Sequence, residues 1–172
     1  MTPSTRLGGF NILRDVVWIS LIQPVRDEST PADIFRSLAN GQVNLPFLTY
    51  GKEDLAWGLN IVVPSSESQN AANLLEEHSA SSFVRQARGS ILSIFPHKSD
   101  PEVTASLLNV LGTEGVEPDA LANSNSAVSA VLKDESVSRI TQALFRPFRF
   151  SAYRTPADWK LAEKGKEKLY KE

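Results

Sequence analysis

The sequence predicts an α+β fold in which two ferredoxin-like βαββαβ units pack side by side with antiparallel sheets, followed by a C-terminal helical tail. Three observations predict it. The 172 residues suffice for one ordinary domain or two small ones. Hydrophobic residues make up 41% of the chain, which is enough to form a core. An internal repeat divides the chain into units at residues 12–87 and 88–153, with the charged tail at 154–172.

The repeat is visible as apolar segments that recur at a constant separation. The segment 18–22 (WISLI) resembles 91–95 (ILSIF), and Val43 corresponds to Val116 at the same separation, which we name the repeat separation. The segment 59–63 (LNIVV) corresponds to 128–132 (VSAVL) at a separation that is four positions smaller, which we name the short separation. We therefore expect two copies of one unit, with a hairpin that is four residues shorter in the second copy.

The first copy is predicted to run strand, helix, strand, strand, helix, strand. Thr30 is suited to cap the first helix and Pro31 to begin it, while Asn40-Gly41 closes it because glycine tolerates positive φ. Pro46 restricts the second strand to an edge or a bulge. The predicted strands are Val16–Ile22, Asn44–Tyr50, Leu55–Val63 and Phe83–Ala87, and the second helix is Ser66–His78.

The second copy repeats this order. Ser99 or Asp100 is expected to cap a helix that begins at Pro101, and Gly112 and Gly115 are expected to end it. The predicted strands are Gly89–Phe95, Ala120–Asn123, Ala127–Leu132 and Phe148–Tyr153, and the second helix is Glu135–Phe145. A βαββαβ unit packs two helices on one face of a four-stranded antiparallel sheet.

Composition excludes several classes of function. The absence of cysteine excludes disulfides, thiol nucleophiles and thiolate metal sites. The net charge of −2 argues against the basic surface that a nucleic-acid binder needs. Because no apolar run reaches membrane-spanning length and Met1–Phe10 lacks the pattern of a secretory signal, we expect no membrane partner and a cytoplasmic location. His78 and His97 have no ligand-spaced partners, so we expect no metal and no cofactor.

No catalytic motif is present. The sequence contains no phosphate-binding loop, nucleophile elbow or zinc-protease motif, so we expect a protein that is not an enzyme. Arginines that alternate with aromatic residues between Phe145 and Arg154 resemble a nucleic-acid reader superficially. A strand with buried aromatics and exposed arginines explains that pattern better.

These segments resemble the paired ACT domains that form the regulatory half of aspartate kinases. The segment Ala32–Ala39 (ADIFRSLA) followed by Val43-Asn44 is similar to the family's A-x-I-F-x-x-L-A and [IV]-N. In the second copy, Asp100-Pro101-Glu102, Gly115-Val116 and the segment 122–132 occupy the positions of the family's HPG, G-[IV]-N and STSEIKISVVV.

The resemblance implies a regulatory module that binds an amino acid, lysine or threonine by family analogy, between ACT units. It also implies a homodimer and a coupled biosynthetic enzyme that responds to the ligand. In the family, the ligand lies against the loop between the first strand and the first helix and against the second strand of the neighbouring unit. The corresponding ligand-binding residues here are Gln23, Arg26, Asp27, Glu28, Ser29 and Thr30, together with Asn123, Ser124, Asn125 and Ser126.

Physical chemistry supports the first loop as a ligand site. A helix N-terminus exposes N–H groups that can hold a carboxylate, and Asp27 or Glu28 could pair with an ammonium group. The family's glycine is replaced by Ser29 in the first copy and by Glu102 in the second, and Glu102 would repel a carboxylate. We therefore favour the first loop.

Two simpler interpretations remain open. The segment Asp27–Thr30 could serve only as a helix cap, and Ser124–Ser126 only as a polar stretch of an edge strand. The chain would then be an ACT-type dimerisation scaffold with a degenerate ligand site.

Overall fold

The computed structural model describes residues 5–24, 31–52, 56–77, 83–95 and 100–150. The described part of the chain forms eight strands, four α-helices and one 3₁₀ helix, Ser65–Glu67. The strands are β1 (Thr5–Leu7), β2 (Gly9–Pro24), β3 (Phe47–Lys52), β4 (Ala56–Pro64), β5 (Phe83–Phe95), β6 (Ala120–Asn123), β7 (Val128–Leu132) and β8 (Phe148–Phe150). The helices are α1 (Pro31–Asn40), α2 (Ser68–Glu77), α3 (Pro101–Thr113) and α4 (Asp134–Ala143). None of these helices is long and apolar enough to cross a lipid bilayer.

Six strands form one antiparallel sheet in the order β3-β4-β2-β5-β7-β6, so the predicted combination of helices with an antiparallel sheet is confirmed. β3 stands at one end of this order, in agreement with the edge position that Pro46 predicts. Both β2 and β5 are long because each continues through the whole sheet. The two strands predicted at Phe83–Ala87 and Gly89–Phe95 are one continuous strand, β5.

Several strand pairs correspond between the two parts of the chain at the separations noted in the sequence. Val17 pairs with Val63. Ser90, which corresponds to Val17 at the repeat separation, pairs in the same way with Leu132, which corresponds to Val63 at the short separation. The same two separations relate the β3–β4 ladder to the β6–β7 ladder: Tyr50 pairs with Leu59, and Asn123 with Val128. The intervening segments are 51–58 and 124–127, so the predicted shortening by four residues lies in this hairpin.

The ends of α1 and α3 also correspond at the repeat separation. The Val43 N–H donates to the Leu38 carbonyl at 3.0 Å, and the Val116 N–H donates to the Leu111 carbonyl at 2.9 Å. In α3 the positive φ lies at Gly115, at 62°, near the predicted helix end. In α1 it lies at Gln42, at 55°, and the prediction of Gly41 for this role was wrong.

Gly41 lies close to the neighbouring helix instead. A Cβ at this position would lie 2.5 Å from Leu74 Cδ1 on the neighbouring helix.

The first half of the sheet comprises β3, β4 and the parts of β2 and β5 beside them, residues 16–24 and 83–88. The second half comprises β6, β7 and the parts of β5 and β2 at residues 89–95 and 9–13. The prediction that Phe148–Tyr153 completes the second half was wrong: the fourth strand there is Gly9–Leu13, which pairs with Ile91–Phe95. β8 pairs in parallel with β1 in a separate two-stranded sheet. The residues after 150, including the predicted tail, lie outside the described part.

A β-bulge in β2 allows one strand to serve both halves. Leu13 pairs with Ile91 and Val16 with Gly89, so Arg14 and Asp15 together stand opposite Ser90. Asp15 has a φ of 56°, which aspartate tolerates better than most residues. An extra residue reverses which side chains face each side of a sheet. The side chains of β2 that face the helices therefore lie at even-numbered positions before the bulge and at odd-numbered positions after it.

Three clusters of buried hydrophobic residues hold the helices and the six-stranded sheet together. In the second half, α3 and α4 pack on β5 and β7 around Leu92 and Leu107, and Phe10 and Ile12 of β2 pack against this cluster. In the first half, α1 and α2 pack on β2 and β4 around Ile19. The third cluster lies on the opposite face of the sheet and takes residues from all six strands: Val16, Trp18, Phe47, Val62, Ile91 and Val131, with Ala87, Ala120 and Ala122 packed against them. β3 and β6 approach each other within 8 Å between Cα atoms.

Candidate functional site

The first predicted ligand loop begins at the end of β2. Gln23 lies on β2 opposite Trp57, and the helix begins at Pro31 as predicted. Arg26, Asp27, Glu28, Ser29 and Thr30 lie outside the described residues. In the first turn of α1, Asp33 forms a 2.9 Å salt bridge with Arg36 on the helix surface.

The second group of predicted site residues, at 123–126, is a strand end followed by a turn. Asn123 is the last residue of β6, whereas Ser124, Asn125 and Ser126 form the connection to β7 and are exposed. The Ser124 Oγ accepts a hydrogen bond from the Ala127 N–H at 3.1 Å, and the Ser124 N–H donates to the Ala127 carbonyl at 2.9 Å. A serine hydroxyl that binds nearby backbone in this way favours turns over strands. The predicted strand end at Asn123 is therefore confirmed, and the interpretation of Ser124–Ser126 as part of an edge strand was wrong.

Gln23 and the 123–126 segment are far apart along the strands of the sheet. Asn123 is level with Phe10 across the sheet, through Val128 and Ile94. Gln23 lies at the opposite end of the same strand, and about thirteen residues of strand span roughly 40 Å. Gln23 and Asn123 therefore lie at opposite ends of the sheet.

The second copy has a different connection before its first helix. At the repeat separation, Asn40 corresponds to Thr113, the last residue of α3, but Pro31 corresponds to Thr104, the fourth residue of α3. Helix α3 is therefore one turn longer at its start. The residues that correspond to Asp27–Thr30 are Asp100, which caps α3, and its first three helical residues.

The backbone N–H groups of this additional turn already have hydrogen-bond acceptors on Asp100. The Asp100 carboxylate accepts a hydrogen bond from the Glu102 N–H at 2.9 Å, and the Val103 N–H donates to the Asp100 carbonyl at 3.2 Å. Pro101 has no N–H to offer. The side chains of Asp100 and Glu102 also place negative charge at this helix end. A ligand carboxylate would therefore meet occupied donors and like charge here.

Sequence reasoning missed the contact that closes this region. The Asn123 amide nitrogen donates to the Thr104 Oγ1 at 3.3 Å and connects the end of β6 to α3. The first copy cannot form the same contact, because Pro31, which corresponds to Thr104, has no side-chain hydroxyl. The sequence carried one signal for it: Pro101 lies three positions too close to Pro31 for the repeat separation.

Replacing Asp100 tests this capped turn. We expect Asp100→Ala to reduce the free energy of unfolding by about 1 kcal/mol, because the helix start loses its side-chain acceptor. Asp100→Asn keeps an acceptor oxygen and should retain most of the stability. Urea denaturation of both variants measures the difference, and equal stability of the alanine and asparagine variants would contradict the cap.

Among the described residues, no group of three or more His, Asp or Glu side chains could hold a metal ion. The polar pairs on the helix-free face of the sheet bind each other. The Ser93 and Ser129 hydroxyls are 2.7 Å apart, and the Asn60 amide nitrogen donates to the Thr49 hydroxyl at 3.1 Å. These pairs consist of neutral groups in adjacent strands, and they contribute to sheet pairing.

No family model and no curated protein matches the sequence. Solved structures do match. The regulatory subunit of aspartate kinase from Thermus thermophilus, in its ligand-free form, aligns with a TM-score of 0.74 and 20% identity over 83% of this chain and 99% of that chain. Aspartate kinase from Synechocystis aligns with a TM-score of 0.74 and 15% identity over 90% of this chain and 29% of that one.

Aspartokinase III from E. coli, in complex with lysine and aspartate, aligns with a TM-score of 0.60 and 16% identity over 84% of this chain and 33% of that one. At these identities the likeness establishes the fold. The chain has the fold of the aspartate kinase regulatory subunits and domains, and the resemblance predicted from the sequence is confirmed.

Proposed function

We propose that the chain is a non-catalytic regulatory module of two ACT units that binds an amino acid and transmits the binding to a coupled biosynthetic enzyme in the cytoplasm. The observation that carries the proposal is the fold shared with an aspartate kinase regulatory subunit over 99% of that subunit. The repeated strand registers support two units that meet near residue 88. The pairing of Gly9–Leu13 with β5 supports moving Ile12 and Leu13 from the first predicted unit, 12–87, to the second, 88–153.

We propose one ligand site per chain, at the first loop, formed by Gln23 and Arg26 to Thr30. The self-capped start of α3 argues against an equivalent site in the second unit. Lysine is the first candidate ligand, since the similar E. coli enzyme was crystallised with lysine, and threonine is the second. Asp27 or Glu28 would then pair with the ligand ammonium, and the N–H groups at the start of α1 would receive its carboxylate.

We propose that the site is completed by a second copy of the chain. The roughly 40 Å of β2 between Gln23 and Phe10, the residue level with Asn123, argues against one chain using both groups of residues. In a two-fold dimer, the first loop of one copy could face the 123–126 segment of its partner, and each of the two sites would be equivalent. The chain has a mass of 18.9 kDa, and light scattering should give twice that value. A monomer at high concentration would contradict the dimer.

Isothermal titration calorimetry of the full chain with each of the twenty amino acids tests the sensing role. We expect one amino acid to bind with one site per chain. The double substitution Asp27→Asn with Glu28→Gln should weaken binding about tenfold or more, because it removes the partners of the ammonium. Asp100→Ala is the matched control at the second unit and should leave the affinity unchanged.

A dimerisation scaffold without a ligand is the second candidate function. The edge strand β3 favours it, because Leu48 and Tyr50 are 44% and 50% exposed there. Exposed apolar side chains on an edge strand suit pairing with another chain. A dimer that shows no heat with any amino acid would support the scaffold and contradict amino-acid sensing.

A further inference from the structure

Within the hydrogen-bonded sheet the connection between the two halves is narrow, although β3 and β6 also approach each other. β7 pairs with β5 only over Ser90–Ile94, and β4 pairs with β2 only from Val16 onward. In the described part of the chain, only β2 and β5 continue from one half into the other. Two-stranded ribbons twist more readily than wide sheets. We name this connection the neck and define it as Arg14-Asp15 on β2 with Gly89-Ser90 on β5.

The β2 side of the neck lacks regular pairing. The bulge places Arg14 and Asp15 opposite the single residue Ser90, and Asp15 has a φ of 56°. A bulge interrupts the ladder and increases the local twist. The ladder between β2 and β5 is therefore interrupted, and its local twist increased, at Arg14 and Asp15.

The β5 side of the neck is packed tightly against the second half. A Cβ on Gly89 would lie 2.5 Å from the Leu132 carbonyl oxygen at the end of β7, so only glycine fits there. The Ser90 hydroxyl is fully buried and donates to the carboxylate of Asp134, the first residue of α4. Movement of β5 at this point therefore changes its contacts with the start of α4.

We propose that the neck is a hinge at which the first half of the sheet twists against the second, and that the Ser90–Asp134 hydrogen bond couples this twist to α4. The third cluster packs across both halves, with Val16 and Trp18 against Ile91 and Val131, and it limits the motion to a small rotation. The hinge is a property of this fold and does not depend on the proposed ligand.

Distances between spin labels test the hinge directly. The chain contains no cysteine, so pairs of introduced cysteines carry the only labels. The pair Arg36→Cys with Asn109→Cys joins exposed positions on α1 and α3 and reports on the two halves relative to each other. The pairs Arg36→Cys with Glu76→Cys, and Asn109→Cys with Ser138→Cys, report on each half alone.

Gly89→Ala introduces a methyl group between β5 and β7. We expect it to shift the distance between the halves by several ångströms and to leave both distances within the halves unchanged. Gly112→Ala, where a Cβ would have open space, is the matched control and should change none of the three. An unchanged distance between the halves in folded Gly89→Ala, or an equal change within them, would overturn the hinge.

Two further variants keep the proposal testable if Gly89→Ala does not fold. Asp15→Gly frees φ at the bulge, and Ser90→Ala removes the hydrogen bond to α4. We expect each to broaden the distribution of distances between the halves and to leave the distributions within the halves unchanged. Distributions of unaltered width in both variants would overturn the hinge.

Discussion

Deletion of Asp15 should destabilise the protein by about 3 kcal/mol or more. Without the bulge, the residues before it reverse their facing, since a shift of one residue turns every side chain to the other face. Phe10 and Ile12 then leave the helix-covered core of the second half, and Asn11 enters it. Leu13 also turns inward and compensates in part, but a buried amide without a partner adds its own cost.

Asp15→Gly is the control for this deletion. It keeps the bulge and removes the cost of a Cβ at positive φ, so stability should be unchanged or higher by up to about 1 kcal/mol. Urea denaturation gives the free energy of unfolding for both variants. A deletion variant as stable as the parent protein would show that the bulge does not determine which residues of Gly9–Leu13 are buried.

Ile19→Ala and Leu92→Ala should each cost about 2–5 kcal/mol. The two residues correspond at the repeat separation and are 1% and 0% exposed in the cores of the first and second halves. Each truncation leaves a cavity that the surrounding residues fill only partly. Leu108→Ala, at a side chain 46% exposed on α3, is the control and should change stability by less than about 0.5 kcal/mol.

The number of unfolding transitions shows whether the two halves unfold together or independently. Because β2 and β5 run through both halves, we expect one cooperative transition that either substitution shifts. If Ile19→Ala lowered one transition and Leu92→Ala a separate one, the halves would unfold independently. A single transition seen by tryptophan fluorescence and by circular dichroism would agree with the shared strands.

The repeat could be predicted from the sequence because both copies bury equivalent positions. Ile19 and Leu92, or Leu21 and Ile94, carry the same packing requirement, so their separation survives even where identity is lost. The cap at Asp100 could be predicted because the preference for aspartate before proline at a helix start is local.

The fourth strand of the second half could not be predicted in the same way. Phe10 and Ile12 alternate with Asn11, but Leu13, Arg14, Asp15 and Val16 break that alternation, and one extra residue in a bulge hides the period of a strand. The pairing of residues near the start of the chain with Ile91–Phe95 also depends on contacts between segments that are far apart in the sequence, which local propensity does not encode.

The candidate site was predictable in part. The start of α1 at Pro31 and the end of β6 at Asn123 agree with the sequence prediction. The turn at Ser124–Ser126 differs because the serine hydroxyl binds the backbone of Ala127 and competes with the strand ladder. Short polar segments carry no periodicity that separates a strand from a turn.

The strand at Gly9–Leu13 also has a consequence for synthesis on the ribosome. It is translated well before its partner Ile91–Phe95 and before the helices that cover Phe10 and Ile12. The nascent chain must therefore keep these apolar residues exposed until Ile91–Phe95, α3 and α4 have been made, and it depends on this interval being free of aggregation. Slower translation should lengthen the interval and increase the demand for chaperones.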